Sequence, residues 1–261
     1  VLPSGVSVSV YQTRSDYGPR ALEISVKNSS RADLTVTHAS FVSPHFASAS
    51  TWTRATVVPF GVIRDLRVPL GHTVCAPTST GPDRVRLSFT LADGRRGSAT
   101  VEPTDPFLAV RTVTAQDCLD DLTVEHVALS LGGALRTVSR GGHAVGLVDL
   151  TLTPTGAAGA ITIDSIGGTI MIRPDSGAPG WPVASTFTAD AAPRTITLDL
   201  VPNNCRIHTV AEDKRGTYFP VHVTTSGGVE GTWYLRSSDS LRESIYAYIA
   251  EYCGWSAGTS A

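Results

Sequence analysis

Residues 194–205, RTITLDLVPNNC, repeat the form of residues 64–75, RDLRVPLGHTVC. Each run begins with arginine (Arg64, Arg194) and closes on a cysteine (Cys75, Cys205) after the same length. Each alternates apolar residues in the same step, Leu66, Val68 and Leu70 against Ile196, Leu198 and Leu200. Alternation of period two marks a half-buried β-strand, so one strand is written twice. Downstream, RVRLSFTLADGRRGSATVEPTD (84–105) lies over YFPVHVTTSGGVEGTWYLRSSD (218–239) without a gap. Val85, Leu87 and Phe89 fall on Phe219, Val221 and Val223, Gly97 falls on Gly231, and one inserted residue later Cys118 meets Cys253. Upstream the match is looser: LEISVKNSS (22–30) resembles VDLTLTPTG (148–156), and LTVT (34–37) resembles ITID (161–164). The offset drifts from 126 at Leu22 to 130 at Cys75 and 135 at Cys118, as insertions in loops between fixed strands produce.

Two copies of one domain follow, over residues 1–120 and 121–261 with almost no linker. Within each copy, short alternating runs are broken by Gly, Pro, Asn and Asp clusters. Asp93-Gly94 between two such runs is a tight-hairpin signal, because a type I′ turn requires positive φ at its centre. The expected fold is mostly β: two tandem immunoglobulin-like antiparallel β-sandwich domains, each ending in a short helix. Leu22, Ile24 and Val26 should face the core, with Glu23, Ser25 and Lys27 facing water. In the second copy Ser240 with Glu243 reads as a capping box, and Leu241, Ile245, Tyr248 and Tyr252 fall close to one helical face. In the first, Asp105 can cap and Pro106 suits the first helical position, although the β-branched residues of AVRTVTAQDC favour a helix less.

A chain of 261 residues with 41% apolar and 17% charged residues has the composition of a globular protein rather than a disordered one. Its net charge of −2 lacks the electrostatic footprint of a nucleic-acid binder, and no apolar run is long enough to span a bilayer. The opening VLPSG reads as a mature or a trimmed terminus rather than a signal peptide. Lys27 and Lys214 are the only lysines in a Lys+Arg total of 21, a bias that suggests a GC-rich genome.

Four cysteines allow three connectivities. If each copy folds by itself, only Cys75–Cys118 and Cys205–Cys253 keep the copies equivalent. Paired disulfides imply an oxidising place outside the cytoplasm. The rival, a metal site or reactive thiol, lacks C-x-x-C spacing and a His-rich surrounding.

Catalytic motifs are missing: there is no G-x-S-x-G elbow, H-E-x-x-H, P-loop or dinucleotide fingerprint. IDSIGG (163–168) sets Ser165 beside Asp164 near glycines, but the repeat aligns Ser165 with His38 at a strand end. Seven histidines (His38, His45, His72, His126, His143, His208, His222) show no ligand spacing; His222 should point outward and His38 inward. Asp117, Asp120 and Asp121 cluster around Cys118, where a calcium site competes with an ordinary solvated helix end. The expectation is therefore no catalytic residue, no metal and no cofactor. Trp181, in the Gly/Pro-rich SGAPGWPVAS, and Trp52, in a polar stretch, are the candidate ligand-binding residues, against folding back onto the sandwich as plugs. Trp233 and Tyr234 are adjacent on a strand, so at most one faces the core.

LEISVKNSSRADLTVTHASFVSPHF, with VPLGHTVC, the DG hairpin and the DPF…C ending, resembles uncharacterised secreted or lipoprotein-like tandem β-sandwich proteins of high-GC Gram-positive bacteria. That resemblance spans most of the chain and implies a cell-envelope location without assigning an activity. The leading expectation is a non-catalytic extracytoplasmic protein, secreted or held at the cell surface, binding a protein or glycan partner and not nucleic acid. The alternatives are a hydrolase with a site at the domain junction and a purely structural spacer.

Overall fold

Alternation in LEISV seats Leu22, Ile24 and Val26 fully inside. A computed structural model describes residues 1–78, 80–212 and 216–255. It divides into two compact units, Val1–Cys118 and Leu119–Ala261.

In the first unit the strands are β1 (Val6–Tyr11), β2 (Ala21–Asn28), β3 (Leu34–Val42), β4 (Ser50–Trp52), β5 (Thr56–Val58), β6 (Ile63–Pro69), β7 (Arg84–Leu91) and β8 (Arg96–Val101). They form one sheet in the order β1-β2-β6 and another in the order β4-β3-β7-β8, with β5 also on β3. Inward residues of both sheets, including Val10, Ile24 and Leu66 from one and Val36, Phe41 and Leu87 from the other, share one buried cluster. That makes a sandwich.

The helix α1 (Ala109–His126) follows, and then β9 (Val127–Leu131), β10 (Arg136–Arg140), β11 (His143–Pro154), β12 (Ala160–Gly167), β13 (Ile172–Pro174), β14 (Gly180–Thr188) and β15 (Arg194–Pro202). The short α2 (Ile207–Glu212), β16 (Tyr218–Thr225), β17 (Glu230–Arg236) and α3 (Asp239–Tyr252) complete the second unit. Its sheets run β10-β11-β15-β13, with β9 also on β11, and β14-β12-β16-β17. All the named strand pairs of both units are antiparallel.

The central strand pairs of the two units share one register. Leu22 opposite Val68 and Ile24 opposite Leu66 recur as Val148 opposite Leu198 and Leu150 opposite Ile196. Val85–Val101, Leu87–Ala99 and Phe89–Gly97 recur as Phe219–Leu235, Val221–Trp233 and Val223–Gly231. Each unit also carries a β-bulge at the same place, between Val36 and His38 and between Ile163 and Ser165. A bulge adds one residue and reverses the inward–outward parity beyond it. After it Ala39 and Phe41 are buried, so His38 is carried to the outer face instead of inward.

Both helices depart from expectation. In α3 the cap is Ser238, not Ser240: its backbone is extended (φ −63°, ψ 160°) and its hydroxyl accepts from Leu241 N–H at 3.2 Å. Asp239 is already helical, which places Ser240 inside the first turn. The helix α1 has 18 residues and is not short, and the boundary between the units falls within it, at Cys118/Leu119. Asp105 does cap it, accepting from Ala109 N at 2.8 Å and Val110 N at 3.0 Å, but Leu108 at φ +53° delays the helix past Pro106. Thr112 and Thr114 donate their hydroxyls to the carbonyls of Leu108 and Val110, so these β-branched residues sit within the helix with their polar groups satisfied.

Tyr248 of α3 ties the helix to the second unit's sheet. Its buried phenol donates toward the carbonyls of Ala144 (2.9 Å) and Leu200 (3.0 Å), and burial pushes its pKa up to about 12. Tyr248→Phe keeps the ring but strands these acceptors, so a loss of about 1–3 kcal/mol is expected. Thermal unfolding monitored by circular dichroism checks it; an unchanged midpoint would contradict the role of the hydroxyl.

Candidate binding surface

The cysteines close as Cys75–Cys118 and Cys205–Cys253, with Cα atoms 5.4 and 5.5 Å apart, and no free cysteine remains. Each bridge joins the chain after β6 or β15 to a helix, within α1 or at the C-cap of α3. Two closed disulfides fit an oxidising, extracytoplasmic environment. No helix among the described residues is long and apolar enough to cross a membrane.

Both tryptophan candidates turn inward. Trp181 lies on β14 rather than in a loop and is 6% exposed, packed near Phe219. Its indole N–H donates to the carbonyl and carboxylate oxygens of Asp199, both at 3.0 Å. Trp52 lies on β4 opposite Ala39, partly buried against the first unit's core. Its N–H reaches Arg54 O at 2.7 Å, and the Arg54 guanidinium sits 4.4 Å over its ring. Each indole spends its donor within the fold, and Trp181 is buried while Trp52 stays partly exposed. Trp233 likewise packs against the core, leaving Tyr234 outward and 47% exposed.

The other sequence candidates are not gathered into one site. Ser165 faces His222 across the strand pair, but His222 Nδ1 lies 3.1 Å from Thr232 Oγ1 and Asp164 accepts from Thr224 at 2.8 Å. Among the described residues no carboxylate is hydrogen-bonded to that histidine as the acid–base relay of a nucleophile requires. Asp117 is occupied by Arg20 at 2.6 Å and by the Thr73 hydroxyl. Among the described residues no three His, Cys, Asp or Glu side chains come together to hold a metal.

Two clusters were not legible in the sequence. In the second unit Asp175 takes His143 Nε2 at 2.7 Å and Arg140 at 3.2 Å, and these partners hold its carboxyl below the usual range. In the first, residues 12–20 fold over the outer face of β1-β2-β6, placing fully buried Asp16 2.8 Å from Arg67. Ser25 is buried and Glu23 partly covered, against the expectation that both face water. Burial and then Asp16 and Asp65 push the Glu23 carboxyl up, while burial and a hydrogen bond to Asp65 push Tyr11 up to about 12. A glutamate raised in the folded state stabilises fully below its unfolded pKa and loses that contribution as pH rises through the folded value. Glu23→Gln should therefore gain stability over the parent progressively from about pH 4 to pH 7. Urea midpoints at both pH values check this; a constant difference would contradict it.

What remains is the outer face of the sheet β4-β3-β7-β8 and of its counterpart β14-β12-β16-β17. In the first unit it carries Arg84, Arg86, Ser88 and Thr90 on β7 and Arg96, Ser98 and Thr100 on β8, because Val85, Leu87, Phe89 and Ala99 point inward. A shallow depression of about 710 Å³ lies there, lined by Thr37, Ser88, Thr90, Arg96, Gly97 and Ser98. A neighbouring one includes His38, Ser40, Arg86 and Thr100, with Val1 at its rim. At the same register the second unit has Tyr218, Pro220, His222 and Thr224 on β16 and Glu230, Thr232 and Tyr234 on β17. The inner positions stay apolar in both units while most of the outer ones change character.

No protein-family model matches the chain, and no curated protein does. Several solved structures are weakly similar. A red sea bream transglutaminase aligns over 91% of this chain at 9% identity and a TM-score of 0.26, and the chain covers 32% of it. A YadV chaperone aligns over 88% at 8% identity and a TM-score of 0.23, covered in full. A biofilm-associated protein BSP domain aligns over 90% at 10% identity and 0.23, with 59% of it covered. At these scores the likenesses carry no argument about fold or activity.

Proposed function

We propose that this is a non-catalytic cell-envelope protein, secreted or anchored at the surface, whose tandem immunoglobulin-like units present sheet faces to a glycan or protein partner. The observation that carries the reading is the divergence between equivalent outer positions: Arg86 against Pro220, Arg96 against Glu230 and Thr100 against Tyr234, over a core that stays apolar. Sheet orders β1-β2-β6 and β4-β3-β7-β8 support the immunoglobulin-like assignment, matching the ABE and CFG arrangement of that fold. The disulfides and the sequence resemblance support the envelope location.

The test pairs binding with turnover. Purified full-length chain is offered immobilised cell-wall glycans and surface proteins, and separately generic ester, peptide and glycoside substrates. Retention without turnover is expected. Turnover abolished by a single substitution would contradict the reading.

A further inference from the structure

The outer face of β7 and β8 forms a cationic trough lined by hydroxyls, and we infer that it binds an acidic polysaccharide, an inference that rests on the binding role proposed above. Arg86 and Arg96 stand at its two ends. Thr90 lies opposite Arg96 and four residues beyond Arg86 on β7, so the arginine positions are roughly 13 Å apart along the strand and one strand spacing across. Between them the floor is small: the Ser88–Ser98 pair and Gly97, with His38 beside Ser88 and the Val1 ammonium, a further cation, 3.5 Å from Ser98 O. Small residues between long cations leave an open channel, shaped for an extended chain rather than for a compact ligand.

The cations are available. Arg67, Arg95, Arg136 and Arg140 each hold a carboxylate. Among the described residues Arg86 and Arg96 hold none, and both are exposed. Arg84 continues the row, but Glu102, next after Val101 across the strand pair, offsets it, and the inference stands on Arg86 and Arg96.

A planar guanidinium pairs bidentately with carboxylate or sulfate, and serine, threonine and histidine side chains suit sugar hydroxyls. Apart from buried Phe89, the described residues that line the depression are polar or glycine, unlike an apolar recess that anchors a peptide side chain. The second unit is an internal control: at the same register it replaces Arg86 by Pro220 and Arg96 by Glu230, which removes the charge.

The experiment measures binding of the full chain to polygalacturonate, dextran sulfate, neutral dextran and polyglutamate, at low and at physiological salt. Expected are binding of one or both acidic polysaccharides, none of dextran, weaker polyglutamate binding and a loss of affinity as salt rises. Arg86→Gln and Arg96→Gln should each cost about tenfold, Arg96→Lys less, and Glu230→Gln nothing, all with unchanged melting. Undiminished binding by the doubly substituted Arg86→Gln/Arg96→Gln chain would overturn the inference, as would equal binding of dextran or tighter binding of polyglutamate. Those results would leave the broader binding role standing. That role fails separately, on catalytic turnover or on no retention by any envelope component.

Discussion

Removing the Cys205–Cys253 bridge by Cys205→Ala with Cys253→Ala is expected to cost about 4 kcal/mol, among the largest effects of any change to this chain. The bridge closes a separation of 48 residues, and the chain-entropy cost of leaving such a loop open grows only with its logarithm. Cys75–Cys118, at 43 residues, should therefore be worth nearly the same. A loss of this size is a large share of the stability of an ordinary domain. Urea unfolding of each disulfide-free chain beside its parent should show a midpoint lower by at least about 1 M. An unchanged midpoint would mean that these bridges do not constrain the unfolded chain.

Trp181→Ala should cost about 3–5 kcal/mol without altering the outer faces. The ring lies against the second core beside Phe219, and truncation leaves a cavity as well as an unsatisfied partner at Asp199. A surface tryptophan that served a ligand would behave in the opposite way, with near-neutral stability and lost binding. Thermal melts beside polygalacturonate affinity, measured below the melting range, separate the two. A stable variant with lost binding would restore Trp181 as a ligand residue.

Strand alternation and the spacing of four cysteines were legible because both are local: period two needs no neighbour, and equivalent copies leave one consistent pairing. The bulge was harder, although the sequence shows its trace. Val36 and Ala39 are buried three residues apart, as are Ile163 and Ile166, and that odd step is the parity reversal that carried His38 outward. Trp181 was placed in a loop because Gly180 and Pro182 suggest one, yet it lies on β14. Proline is tolerated here on β14, a strand at the end of its sheet, opposite the bulged Ser165. The cover over Glu23 and Ser25 was beyond reach, since Asp16 reaches Arg67 only through folding. The arginines of RVRLSFT could be placed outward from alternation alone. Their meaning required the shared register, which identifies Pro220 and Glu230 as the second unit's residues at the same positions.

The most direct measurement is a map of backbone amide shifts as polygalacturonate is added to isotopically labelled full-length protein. The account predicts shifts confined to residues 84–90 and 96–100 with their neighbours on β3, and none on β16 or β17. Shifts centred on 218–225 and 230–236, or none on the first unit's larger sheet, would contradict it.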